Sequence, residues 1–383
     1  MMRYRWILVS VPVLIILMGV GYAVLWLFGA RQAEEVARGW VAAQVAAGWE
    51  AEIKDLRATG FPGRITLEGD ALRLAPPPGT STVPWRWEAQ AVRVHALPWA
   101  LREPTVEPVG TSTVTLPSGP DGAMVSHTVT ADAAQVDLTV GKGGQVVGFA
   151  LTAAGIKVGV GGSKDVIALE SAAVSLAPHE GSGKLLDLRE PSYILSVSLR
   201  GLDVPPALEP PLGPRGESLD AHARILGPVT LDPAQPLLET IKTWRDDGGT
   251  IELDRFNLHW APLGMSAAGS FALDQSLQPV ASMNARFQGF FAAVTRLEEV
   301  GVVRAREASV ARVVLGVMAT RDPAGGAPLL AVPMSIQDRQ IRVGPVTVLT
   351  FAPIQWGGRP PPSGQEISPG FEVDRWGNVI RRP

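Results

Sequence analysis

Beyond residue 50 the sequence advances in short runs of alternating apolar and polar residues, each stopped by Gly or Pro. This punctuation confines the chain to many strands joined by turns. With 41 Gly and 33 Pro, little uninterrupted length is left for long helices in the body. In RITLEGDALRL, residues 64–74, Ile65, Leu67, Leu72 and Leu74 alternate, but the phase slips by one around Gly69-Asp70. A bulge that keeps one face buried produces that slip. Comparable runs occupy 84–97, 147–160, 166–177, 192–204, 250–260, 265–274 and 280–290, and a final pair, LLAVPMSIQ and QIRVGPVTVLTF, encloses a turn at Asp338-Arg339. The expected class is α+β and mainly β: an N-terminal transmembrane helix, then a long, twisted, mostly antiparallel sheet with a few packed helices.

Three stretches depart from the strand pattern. Residues 31–47 carry Ala33, Val36, Ala37, Trp40, Val41, Gln44 and Ala47 at three- and four-residue intervals, a helix ending near Gly48. Its narrow, alanine-rich face suits packing on its own domain, with a lid or plug as the other reading. Residues 232–248 open with Asp232-Pro233 and close with Asp246-Asp247-Gly248, the start and stop signals of a helix. Residues 293–319 have helical spacing interrupted at Gly301. From 357 to 383 there is too little apolar material for a core, so a flexible tail is expected. The domain plan is a cytoplasmic 1–6, an anchor over 7–28, a helix over 29–48, a β-rich body over 49–356 with a break near 205–232, and the tail.

The anchor rests on ILVSVPVLIILMGVGYAVLWLF, Ile7 to Phe28, which holds no charge. At about 1.5 Å per residue such a helix crosses the roughly 30 Å hydrocarbon core. Pro12, Gly19 and Gly21 are tolerated in lipid, and Trp6, Tyr22 and Trp26 are candidate interfacial anchors at its ends. A cleaved signal needs a shorter apolar run and a small-x-small site, which Phe28-Gly29-Ala30-Arg31 does not offer cleanly. Arg3 and Arg5 precede the run while Arg31 and Arg38 follow it, so charge sets the orientation weakly. A short head and a long body place the bulk outside the inner membrane, in the periplasm.

Composition then removes function classes. There is no Cys, which excludes disulfides, thiolate metal sites and a lipoprotein anchor. Lys plus Arg number 34 against 37 Asp plus Glu, so a broad phosphate-neutralising surface is absent and nucleic acid is not an expected partner. His95, His127, His179, His222 and His259 show no metal-ligand spacing. Gly181-Ser182-Gly183-Lys184 has Pro178 where a phosphate loop needs its first Gly, and reads as a turn. Among 11 Trp, the group Trp85, Trp87 and Trp99 suits core filling more than a ligand platform. No catalytic, metal or cofactor-binding residue is assigned, no cofactor is expected, and the chain is not expected to be an enzyme.

Several segments together resemble the DUF2125 family of alphaproteobacterial envelope proteins. They are the N-terminal run and helix followed by ATGFPGRITLEGDALRL with Gly60, Phe61 and Pro62; GGTIELDRFNLHWAPLGMSAAGSFALD with Trp260 and Gly269; and the closing segment with Gly344 and Pro345. Asp338-Arg339 stands where the family usually has Asp-Gly. The resemblance weakens over 105–215 and brings no catalytic residue with it. A more distant likeness to AsmA-like proteins implies an elongated sheet whose apolar face shields lipid tails. The expected function is therefore a membrane-anchored envelope protein that binds or conveys phospholipid or another envelope lipid. A scaffold with a self-filled face and unknown protein partners is the alternative, and a carboxylate-based hydrolase is a remote one.

Overall fold

The computed structural model describes residues 2–77, 83–118, 122–141, 144–179, 190–208, 210–229, 237–321, 327–344, 346–354, 371–373 and 379–381. The side chains of 2–16, 118, 346, 348, 349 and the last two strands are outside this description. The expected turn at 181–184, the cap at Asp232-Pro233, residues 357–370 of the tail, and Pro345 also lie outside the described residues.

The chain begins with one helix, α1 (Met2–Ala46), and continues into strands β1 (Glu50–Thr59), β2 (Ile65–Ala75), β3 (Arg86–Ala96), β4 (Thr105–Ser118), β5 (Ala123–Thr130), β6 (Ala133–Val140), β7 (Val146–Gly159), β8 (Val166–Pro178), β9 (Pro191–Asp203) and β10 (Arg215–Leu226). Then come α2 (Leu237–Asp246), β11 (Thr250–Trp260), β12 (Leu263–Leu273), β13 (Pro279–Gln288), α3 (Phe290–Glu299), α4 (Ala305–Met318), β14 (Leu329–Gln337), β15 (Gln340–Val343) and β16 (Val346–Thr350). These strands form one 16-stranded sheet in sequence order, with β5 and β6 sharing the place between β4 and β7. Every pairing is antiparallel, as short connections between consecutive strands require. The ladder is continuous across 205–232, where β9, β10 and β11 are successive neighbours. A separate hairpin, β17 (Phe371–Val373) with β18 (Val379–Arg381), lies within the expected tail.

The mainly β expectation holds, with differences in detail. Strands β1, β4, β5, β6 and β10 answer to none of the predicted runs. Pro108 and Gly110 interrupt β4, and its pairing toward β5 and β6 lapses between Val106 and Ser112, where those two residues are accommodated. The β10 sequence alternates small apolar residues with Glu217, Asp220 and Arg224, a weak signal for burial. The predicted last strand folds back on itself at Gly344, φ 56°, and becomes β15 and β16.

Helix α1 runs through the whole of the predicted span. Among the described residues, however, no helix is long and apolar enough to cross a membrane. From Leu17 the uncharged run reaches only Ala30 before Arg31, about 20 Å of helix at 1.5 Å per residue. The rest of α1 packs on the sheet by one stripe: Tyr22, Ala33 and Ala58 surround buried Trp26, Ala30 and Ile65. Ala37, Val41 and Gln44 continue that stripe half-buried, while Val36, Trp40 and Ala47 face solvent. At the other end of the strand order, α3 and α4 cover Leu330 and Val332 through Phe290, Phe291, Leu315 and Met318. Helix α2 closes the ends of β10–β12, its Trp244 donating to the Leu226 carbonyl at 2.8 Å and Arg245 to that of Gln275 at 2.9 Å.

The accessible surface totals 24632 Å² for 40.6 kDa. A compact monomer of this mass exposes roughly 14,600 Å². A single sheet layer, with no second layer across its middle among the described residues, contributes to that excess.

Candidate functional site

Residues directly opposite one another in an antiparallel ladder share a face. Following them from strand to strand gives the row Ala58, Leu67, Val94, Val106, Val136, Leu151, Val174, Val197, Ala221, Phe256, Ala267, Ala285 and Val332. Every member is apolar, and the row crosses β1–β4 and β6–β14. At about 4.8 Å per strand it extends for roughly 55–60 Å. A parallel row, Leu138, Phe149, Leu176, Leu195, Ala223, Leu253, Gly269, Met283 and Met334, is equally free of polar side chains. Gly269 belongs to it because a Cβ there would overlap the Ser282 carbonyl of β13.

The ends of the first row are closed and its middle is not. Leu67 is buried near α1, and Ala267, Ala285 and Val332 are buried near α3 and α4. Val106, Val136, Leu151, Val174, Val197, Ala221 and Phe256 remain half-buried. Described helices make their sheet contacts chiefly with β1, β2, β12 and β14. The opposite face is polar: Thr152, Ala173, Ser198, Asp220, Asn257, Ser266 and Arg286 are successive partners on it.

A seam of phase slips runs alongside the first row, on the side away from the second. Gly155 stands opposite Glu170, and Glu170 opposite Gly201, between flanking pairs Ala154–Ser171 and Ile156–Leu169, then Ser171–Arg200 and Leu169–Leu202. Gly155 and Gly201 have φ of 60° and 61°, where only Gly is unstrained. A Cβ on Gly155 would overlap Asp132, and one on Gly201 would overlap Glu170. Beside the seam the apolar positions jump by three, from Ala153 to Ile156, Ala172 to Leu169 and Leu199 to Leu202, so the extra residue keeps them in phase with one face. The slip predicted near Gly69-Asp70 belongs to the same seam, at Ala71 with φ 49°.

Charged groups meet on the polar face without a catalytic arrangement. Arg224 bridges Glu252 at 2.6 Å and Asp254 at 2.8 Å, and His222 Nδ1 lies 3.1 Å from Asp254. The Arg224 hydrogen bond, assisted by that of His222, holds the Asp254 carboxyl below the usual carboxylate range against desolvation. Arg200 does the same for Asp220. A general acid requires the opposite shift. Ser196 is the cross-strand partner of His222, yet no hydrogen bond joins their side chains among the described residues. His95 is buried against Thr66 at 3.0 Å, and its Nε2 lies 3.2 Å from Glu107 without a hydrogen bond among the described residues. No group of His, Asp and Glu among the described residues has the arrangement of a metal site.

The residues singled out from sequence fall in three places. Gly60, Phe61 and Pro62 make the β1–β2 turn, which receives α1: Trp26 Nε1 donates to the Gly63 carbonyl at 3.1 Å, Tyr22 donates to that of Pro62, and Trp26 meets Phe61 edge-on at 5.4 Å. Trp260 ends β11 and donates to the Gly213 carbonyl at 2.9 Å, while Gly344 turns the chain between β15 and β16. Trp6, Ile7, Pro12, Gly19 and Phe28 lie on α1, with Phe28 exposed. None of these except Gly269 contributes to the two apolar rows. Trp87 lies on the apolar side between Leu74 and Val114, and Trp99 is exposed in a turn.

The model of a family described as uncharacterized proteins conserved in bacteria, DUF2125, fits residues 26–352 of the chain. No curated protein matches the chain. No solved structure matches it.

Proposed function

Because the chain belongs to the DUF2125 family, whose description names no activity, we propose its function from the sheet itself: a membrane-anchored protein that holds lipid acyl chains along one sheet face, without chemical turnover. The observation that carries this reading is the apolar row from Ala58 to Val332, closed at both ends and half-open through β4–β11. Acyl chains match such a strip because each methylene removed from water gains about 0.8 kcal/mol and demands no particular partner. A soluble ligand with polar groups would find no donor or acceptor side chain along either row. The uncharged run from Ile7 to Phe28 supports an inner-membrane anchor with the body in the periplasm, in reach of such lipids.

Native mass spectrometry of the full chain, with uptake of a fluorescent phospholipid, tests the proposal. Wild-type protein should carry phospholipid. Val174→Asp combined with Val197→Asp should reduce uptake at least tenfold, with Thr152→Asp on the polar face as the unaffected control. If wild-type protein neither copurifies with lipid nor takes it up, the conduit gives way to a scaffold whose face is filled by its own side chains.

A further inference from the structure

Helix α4 is apolar on two sides, and only one of them is used. Ala308, Leu315 and Met318 turn toward α3 and β14, with Ala308 fully buried. Val310, Val313 and Val317, spaced i, i+3 and i+7, form a second stripe that is 58%, 69% and 83% exposed. Val302, in the turn before the helix, is exposed as well. Three β-branched side chains left bare on one helix face make a contiguous apolar patch, the kind of feature that marks an interaction surface.

The charges around it identify the occupant. From Ala308 to Arg321 the sequence has no carboxylate, with Glu307 in the first turn of α4 capping the Arg304 backbone N–H and Asp322 following Arg321, and Arg312 is held in an ion pair with Glu298. Arg304 and Arg306 stand at the start of α4 and Arg321 lies just past its end, none of them in an ion pair among the described residues. An apolar stripe flanked by three arginines against two carboxylates fits a surface that is greasy within and anionic at its boundary. We propose that the outer face of α4 docks on an anionic lipid surface, the valines entering the acyl boundary and the arginines meeting the headgroups. This inference does not rest on the sheet face holding lipid, since a protein with a blocked sheet face would still present α4.

The chain lacks Cys, so one introduced Cys is a unique label site. Val313→Cys and Val317→Cys carry an environment-sensitive dye in the full chain, held in neutral phosphatidylcholine nanodiscs, with Thr139→Cys as a control on an exposed strand position. Circular dichroism and melting confirm that each labelled protein is folded. Adding phosphatidylglycerol vesicles should raise emission at least threefold at 313 and 317 and leave 139 flat. Phosphatidylcholine vesicles should have no effect, and Arg306→Ser with Arg321→Ser should raise the lipid needed for half-response about tenfold. No rise at 313 and 317 overturns the proposal, and so does an equal rise with neutral vesicles or in the nanodisc alone. A rise that follows protein concentration without vesicles assigns the face to a second copy instead. Repeating the measurement in Val174→Asp, Val197→Asp protein separates the two lipid readings, because only loss of the dye response bears on α4.

Discussion

Trp26 shows how a single side chain ties two distant segments. Its ring is 5% exposed, its Nε1 bonds the Gly63 carbonyl and its edge meets Phe61, so it fixes α1 to the β1–β2 turn by burial and by one polar contact. Trp26→Ala should cost about 3–5 kcal/mol by the range for large aromatic truncations, measured by denaturant unfolding. Hydrogen exchange should rise at residues 60–64 before it rises in the central strands. Asp254 and Asp220 give the acid response. Both carboxyls are more acidic folded than unfolded, so they stabilise the fold above the ordinary carboxylate range and lose that contribution as pH falls through their folded-state values. Denaturant midpoints should therefore fall on acidification below about pH 4, the unfolded Asp range. Asp254→Asn should lower the midpoint at pH 7 and make the acid fall shallower. The polar identities of these residues were legible in the sequence, but their pairing was not, because Arg224 reaches Asp254 across adjacent strands.

Among elements, the bulge seam determines whether a strand's apolar residues can serve one face along its whole length. Gly201→Ala introduces a Cβ at φ 61° and against Glu170, and should destabilise by about 1–3 kcal/mol. Gly159→Ala is the matched control, since its Cβ would meet Thr128 at ordinary contact distance, 3.7 Å, and thermal melting should barely distinguish it from wild type. The phase slip in β2 was readable because Leu67 and Leu72 are large enough to mark the two registers. In β4 and β10 the small residues, Pro108 and Gly110 blurred the period, and those strands emerged only through their neighbours. The interruption of the 293–319 helix was visible at Gly301, which adopts φ 76° between α3 and α4. Which side of α4 would stay bare was not visible, since valines occupy both.

For the whole molecule, the apolar row exists only as an assembly of strands that are far apart in sequence. Each strand supplies one or two half-buried side chains, too few to read as a site, and registry with both neighbours turns them into a strip tens of ångströms long. Disturbing the middle of the strip should therefore remove lipid uptake with little loss of stability: Val174→Asp should shift the melting temperature by no more than a few degrees, because that side chain is only half-buried. The same substitution at Ala285, buried under α3 and α4, should unfold that end. Local sequence alone settled the class of fold, since alternation with period two and frequent Gly and Pro leave a chain few choices besides antiparallel strands in succession. It also settled the absence of thiol chemistry and the existence of the long first helix. Tertiary structure alone decided that α1 docks on the Gly60–Gly63 turn, that acidic groups meet arginines rather than one another, and that apolar residues from β1 to β14 line up on one face. The physical reason is range: strand-forming tendency is a property of neighbouring residues, whereas a face is defined by cross-strand register, which no single segment contains.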